Sequence, residues 1–325
     1  MCNNSVRQAN LRSWFGVAVL TLLLVVNASA HARLFGKKDD VSDVRTVTRV
    51  LPVQGRERSY ILHVPLSARD GVPMPLVLVF HGGYDTPENA ISNTGFNRLA
   101  DREGFLVAYP AGVDKHWNDG RGVANAEVDD VAFVRAMIED IRKVSDVDPR
   151  RIYATGASNG GMFTQRLACE LADIIAAFAP VISSLPEAIR QQCRPVRAVS
   201  ILMINGSDDK MVPWNGGEMK GKGGRILPVP ASVEFWARHA DCPATSPAAS
   251  QLLPDRDPRD RTRVRQTQYS GCRDGAEVML FEIEGGGHTW PGGENRQMPL
   301  VLGITSRDIE ATTEIWRFFR RHPGE

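Results

Sequence analysis

The sequence predicts an α/β fold with a mostly parallel central sheet and helices on both faces. Three observations carry this. Short apolar runs without polar alternation, at residues 76–80 and 105–109, read as strands buried on both sides. Val131, Val134, Ile138 and Ile141 fall on one face at helical spacing, so residues 129–144 read as a helix that Asp129 can cap. The two kinds of segment alternate along the chain, which gives parallel strands joined by crossover helices.

The elements follow in order. Residues 46–53 and 58–64 read as an antiparallel lead-in pair ahead of the strand at 76–80. A loop at 81–87 leads to a helix around 88–103, and Pro110 ends the strand at 105–109. A short strand at 151–155 precedes a helix from about 160 to 171. Residues 176–182, 199–205 and 277–284 read as strands, and 231–240 as a helix. A last helix is expected over 306–321, with Thr305 and Asp308 as a capping box. Residues 244–268, rich in Pro, Arg and Asp, read as a surface excursion. With no linker and no second compositional regime, residues 46–325 are expected to form one catalytic domain.

The charge is nearly balanced, with 39 Lys and Arg against 38 Asp and Glu, and no run of five like charges occurs. A nucleic-acid partner would call for a clustered basic excess, so none is expected. Residues 1–32 read as a secretory signal. Arg7 and Arg12 precede a 13-residue apolar stretch from Trp14 to Val26, and Ala28-Ser29-Ala30 and Ala30-His31-Ala32 offer small-x-small cleavage sites. That stretch is short of the roughly 20 residues a membrane span needs, so no membrane association is expected after cleavage. Residues 33–45 read as a flexible segment. Four cysteines remain in the exported chain: Cys169, Cys193, Cys242 and Cys272. An even number in a secreted chain suggests disulfides, and of three possible pairings the two local ones, Cys169–Cys193 and Cys242–Cys272, are expected. No metal-ligand spacing or phosphate loop occurs, so no metal or cofactor is expected.

Gly156-Ala157-Ser158-Asn159-Gly160 places G-x-S-x-G between a predicted strand and a predicted helix. A serine on that sharp turn is lifted clear of the sheet, with small residues required two before and two after it. Ser158 is therefore the expected nucleophile. A serine hydroxyl needs a base. Of the histidines after Ser158, His239 lies in a helix pattern and His322 near the terminus, while His288 follows a strand and three glycines. His288 is the expected base. Asp208 and Asp209 both follow the strand at 199–205, and spacing does not choose between them as the acid that orients His288. The expected oxyanion donors are the amides of Asn159 and of Gly83 or its neighbour, in the loop His81-Gly82-Gly83-Tyr84. His81 reads as a brace for that loop. Tyr84, Trp117, Trp214 and Trp290 are candidate pocket residues, since three lie in loops at predicted strand ends and Tyr84 closes the oxyanion loop. Met162 reads as core.

With these residues in place, the chain resembles the secreted polyhydroxybutyrate depolymerase/feruloyl esterase family, related to carbohydrate esterase family one. The matching segments include LVLVFHGGYD, WNDGRG, VDPRRIYATGASNGGMF, INGSDDKMVPWNGG, YSGC and EGGGHTWPGG. The resemblance implies an α/β-hydrolase fold and a secreted serine carboxylesterase acting on small or oligomeric esters, either of 3-hydroxybutyrate or of feruloyl or acetyl type. The family's G-x-x-D-x-x-V-P pattern, matched at Gly206, Asp209, Val212 and Pro213, implies Asp209 as the acid. It also implies a Cys242–Cys272 bond. Asn205 stands where members usually carry His, a departure expected to touch loop bracing rather than the triad. Two other classes fit the same residues: acyl transfer to an alcohol other than water, and a binding protein on the same scaffold.

Overall fold

The computed structural model describes residues 46–219, 223–243, 249–294 and 299–324. The expected signal and flexible segments, residues 1–45, lie outside the described residues.

Among the described residues, twelve strands and eight helices follow in chain order. Strands β1 (Thr46–Val53), β2 (Arg56–His63) and β3 (Met74–Phe80) precede helices α1 (Pro87–Thr94) and α2 (Phe96–Glu103). Then come β4 (Leu106–Pro110), α3 (Asp130–Arg142), β5 (Val147–Ala157), α4 (Asn159–Glu170), β6 (Ala177–Val181), α5 (Glu187–Arg190) and β7 (Ser200–Gly206). The two-residue strands β8 (Gly217–Glu218) and β9 (Arg225–Ile226) pair with each other ahead of α6 (Val229–His239). Strands β10 (Ala249–Leu252), β11 (Arg263–Tyr269) and β12 (Val278–Glu284) and helices α7 (Pro299–Leu302) and α8 (Ala311–Arg321) complete the chain.

Ten strands form one sheet in the order β1-β2-β4-β3-β5-β6-β7-β12-β11-β10. The six central strands, β4 to β12, pair in parallel, and antiparallel strands extend both edges. Every residue of β3 is buried, as its unbroken apolar run requires. Its side chains alternate between two cores. Leu76, Leu78 and Phe80 pack with α3, α4 and α6, while Val77 and Val79 pack with α1, α2 and α8. Helices thus cover both faces of the sheet.

Three expectations change. The helix predicted over 88–103 is two helices, because Gly95 adopts φ 66° between them and ends the first. The excursion at 244–268 holds β10 and β11, which extend the sheet antiparallel to β12. Val264, the one buried residue of β11, stands among polar neighbours and gave too weak a strand signal. The last helix starts at Ala311, so Asp308 caps nothing. Its carboxylate instead accepts the amides of Arg256 and Asp257 and ties that excursion to the segment before α8.

Both local disulfides form. Cys169–Cys193 joins the end of α4 to the approach to β7, and Cys242–Cys272 joins the segment after α6 to the turn after β11. Sequence separations of 24 and 30 residues correspond to about 3.5 kcal/mol each in the chain-entropy treatment.

Candidate active site

Ser158 sits between β5 and α4 with φ 56° and ψ −117°, a backbone strained for any residue with a side chain. The turn closes only because its neighbours lack side chains. A Cβ on Gly160 would lie 2.4 Å from the carbonyl oxygens of Phe80 and His81, and one on Gly156 would lie 2.6 Å from the Gly160 oxygen. The Ser158 amide donates to Val181 O of β6 at 3.0 Å, which pins the elbow to the sheet. Helix α4 begins at the next residue, so its N-terminal dipole points at the serine.

His288 and Asp209 meet because β7 and β12 are parallel neighbours whose carboxyl ends both turn into loops. His288 Nδ1 lies 2.7 Å from Asp209 Oδ2. The other Asp209 oxygen accepts the amides of Met211 and Val212, each at 2.8 Å. In the tautomer whose Nδ1–H donates to this carboxylate, Nε2 is the ring nitrogen able to accept a hydrogen. Both side chains are buried. Asp208, between which and Asp209 spacing could not choose, faces solvent with its carboxylate near the Ser207 hydroxyl. Met162, one turn into α4, packs against Val212 and Ile226, so the Asp209 loop folds down onto the start of the serine's helix. The Ser158 hydroxyl has no hydrogen-bond partner among the described residues.

The loop 81–84 runs alongside the elbow. A Cβ on Gly82 would lie 3.8 Å from Ser158 Cβ, and one on Gly83 would lie 3.6 Å from Asn159 Cβ. The Tyr84 amide donates to Lys115 O at 2.9 Å. The Tyr84 amide is thereby engaged, whereas the Gly82 and Gly83 amides have no backbone acceptor among the described residues. His81 is 2% exposed and accepts the Gly112 amide on Nε2 at 3.0 Å. Its Nδ1 therefore carries the hydrogen and donates to Gly82 O at 2.7 Å. Burial pushes its pKa below the ordinary histidine value. His81 is a brace, as expected. Asn205 donates to Ser183 O and braces the ends of β6 and β7.

Two of the four pocket candidates are corrected. Trp117 is fully buried: its ring stacks on Phe163 with centroids 5.3 Å apart, and its Nε1 donates to His81 O. Trp290 is also core, with Nε1 donating to the Thr312 hydroxyl and its edge toward Phe96. A large ring in a loop gains more from burial than from a wall in water. Trp214 stays partly buried at the core's margin. Tyr84 is 84% exposed, held at φ 62° with its ring edge-on to His116 at 4.3 Å.

The sequence reading missed a polar cluster behind the elbow. The Asn159 side chain accepts the Trp117 amide at 2.8 Å and donates to Trp117 O at 3.0 Å and to Asp119 Oδ2 at 2.6 Å. Asp119 in turn holds Arg121 in a buried ion pair at 2.7 Å. These residues lie in the WNDGRG segment, whose charged pair reads like any polar turn.

The chain is similar to known esterases. The esterase PHB depolymerase family matches residues 58–186. A Nocardia uniformis subsp. tsuyamanensis protein named "Putative esterase NocK" is 32% identical over 292 residues, covering 83% of this chain and 81% of that protein. Feruloyl esterase B of Piromyces equi is 30% identical over 241 residues, covering 71% of this chain; the chain spans 42% of that relative's length. The solved structure of an acetyl xylan esterase from Aspergillus awamori superposes with a TM-score of 0.56 at 13% identity, over 84% of this chain and 98% of that one, which supports the α/β-hydrolase fold. The chain belongs to the esterase PHB depolymerase family and is a carboxylic ester hydrolase.

Proposed function

We propose that this protein is a secreted serine carboxylesterase with Ser158 as nucleophile, His288 as general base and Asp209 as the group that orients it. The observation that carries the reading is the buried His288–Asp209 contact of 2.7 Å, at the same carboxyl end of the parallel strands where the strained Ser158 follows β5. His288 Nε2 takes the Ser158 proton as Oγ bonds to the ester carbonyl carbon. The carbonyl electron pair moves to oxygen, where the amides of Gly83 and Asn159 receive it. The pair returns as the C–O bond to the alcohol breaks, and His288 gives its proton to the departing oxygen. Water then repeats the sequence on the acyl-enzyme, freeing the acid and Ser158. Secretion is supported by the signal-like residues 1–32 and by the two disulfides.

The substrates that fit are 3-hydroxybutyrate oligoesters and feruloyl or acetyl-type esters. Initial rates on 3-hydroxybutyrate trimer and on methyl ferulate, with Ser158→Ala as blank, separate them. Faster trimer cleavage assigns polyester turnover. Faster ferulate cleavage assigns plant cell-wall esters and implicates the exposed Tyr84 ring. Activity that survives in Ser158→Ala refutes the mechanism.

A further inference from the structure

The Asn159 side chain has little freedom left. Its oxygen and nitrogen close a two-bond ring on the Trp117 backbone, and its second N–H goes to Asp119. Asp119 Oδ2 collects three donors: Asn159 Nδ2 at 2.6 Å, Arg121 Nη2 at 2.7 Å and Arg121 Nε at 2.9 Å. Asp119 is 2% exposed, so this carboxylate has been taken out of water at a cost that only a full set of donors offsets. Arg121 spends its remaining reach on the far side of the site. Its Nη1 contacts Gly223 O and lies 3.1 Å from Met219 Sδ, beside the β8–β9 pair that follows the Asp209 loop. No substrate atom needs to touch Asp119 or Arg121 for this chain of contacts to matter, because it ends on the residue directly after Ser158.

We infer that Asp119 is a positioning residue for the Asn159 amide, and that Arg121 holds Asp119 in place and ties it to the β8–β9 segment. The inference rests on the reading that the Asn159 amide receives the developing oxyanion. Donors at such a site act through placement, and displacement by about 1 Å can cost on the order of 10²-fold in rate.

A double-substitution cycle tests this, because Asn159→Ala removes the side chain but keeps the backbone amide. With p-nitrophenyl acetate, Asp119→Ala and Asn159→Ala are each expected to lower kcat about 10- to 100-fold, with KM within about twofold. The double variant is expected to lose no more than the worse single one. Affinity for a trifluoromethyl ketone, which forms an oxyanion at the same place, should weaken in step with kcat/KM. If Asp119→Ala fails to fold, Asp119→Asn keeps the shape and carries the same cycle with a smaller loss. Losses that multiply in the double variant, a raised KM at unchanged kcat, or unchanged ketone affinity would overturn the inference. Ser158→Ala separates the two layers: retained activity there removes the serine reading itself, whereas abolished activity with multiplying losses removes only the role of Asp119.

Discussion

Replacing Gly160 by alanine probes the link between fold and site. The new Cβ would stand 2.4 Å from two backbone oxygens, of Phe80 and His81, where ordinary contact begins near 3.4 Å. Neither oxygen can swing aside as a side chain would, so the strand end, the loop at 81–84 and α4 must part by about 1 Å. Overpacking of this kind costs about 1–3 kcal/mol. Catalysis should suffer more than stability, because the displaced parts are the Ser158 elbow and the loop carrying Gly83. A shift of about 1 Å there predicts a kcat/KM near 10²-fold below wild type. Gly82→Ala is the control, since its Cβ would meet Ala157 O at 3.6 Å, an ordinary contact; its stability should change by about 0.5 kcal/mol or less. Urea unfolding followed by tryptophan fluorescence gives the first quantity and p-nitrophenyl acetate hydrolysis the second. A Gly160→Ala protein with the wild-type midpoint and rate would refute the steric argument.

Two further outcomes concern the frame around the site. Arg58 and Asp130 form a buried ion pair at 2.6 Å, and the second Asp130 oxygen accepts the Asn118 amide at 2.7 Å, anchoring the loop that bears Trp117 and Asp119. Asp130→Ala strands the guanidinium and should cost about 3–5 kcal/mol in urea unfolding, while the joint change Arg58→Met with Asp130→Leu should recover most of it. His81 supplies a pH dependence. Its folded pKa lies below the ordinary value because burial disfavours the cation. Below about pH 6.5 the unfolded chain binds a proton that the folded one does not, so stability should fall with acidification by up to about 1.4 kcal/mol per pH unit from this group. His81→Gln should flatten that slope in thermal unfolding measured across pH 5–8, and an unchanged slope would assign the dependence elsewhere.

What the sequence made legible follows from how local each signal is. The central strands announce themselves because burial on both faces demands unbroken apolar runs, as in β3. The elbow is readable because Gly156 and Gly160 answer to sterics within a few residues of Ser158. Asp209 was not separable from Asp208 by spacing, since the choice depends on which side chain turns inward at the end of β7 and meets His288 across to β12. Strand β11 hid behind polar residues because an antiparallel strand near the sheet edge buries little; Val264 alone is fully covered. Trp117 and Trp290 were misread because loop position says where a residue starts, not where its ring goes. The Asp119–Arg121 pair carried no local signal, because its meaning lies in contacts 40 positions away at Asn159 and about a hundred away at Gly223.

The most direct test of Ser158 as nucleophile is covalent. The protein with its disulfides formed is treated with a fluorophosphonate, and the adduct is located by peptide mass spectrometry. A single adduct is expected on Ser158, competed by ester substrate, absent in Ser158→Ala and formed about 10²–10⁴-fold more slowly in His288→Ala. An adduct on another residue, or ester hydrolysis undiminished in Ser158→Ala, would contradict that role.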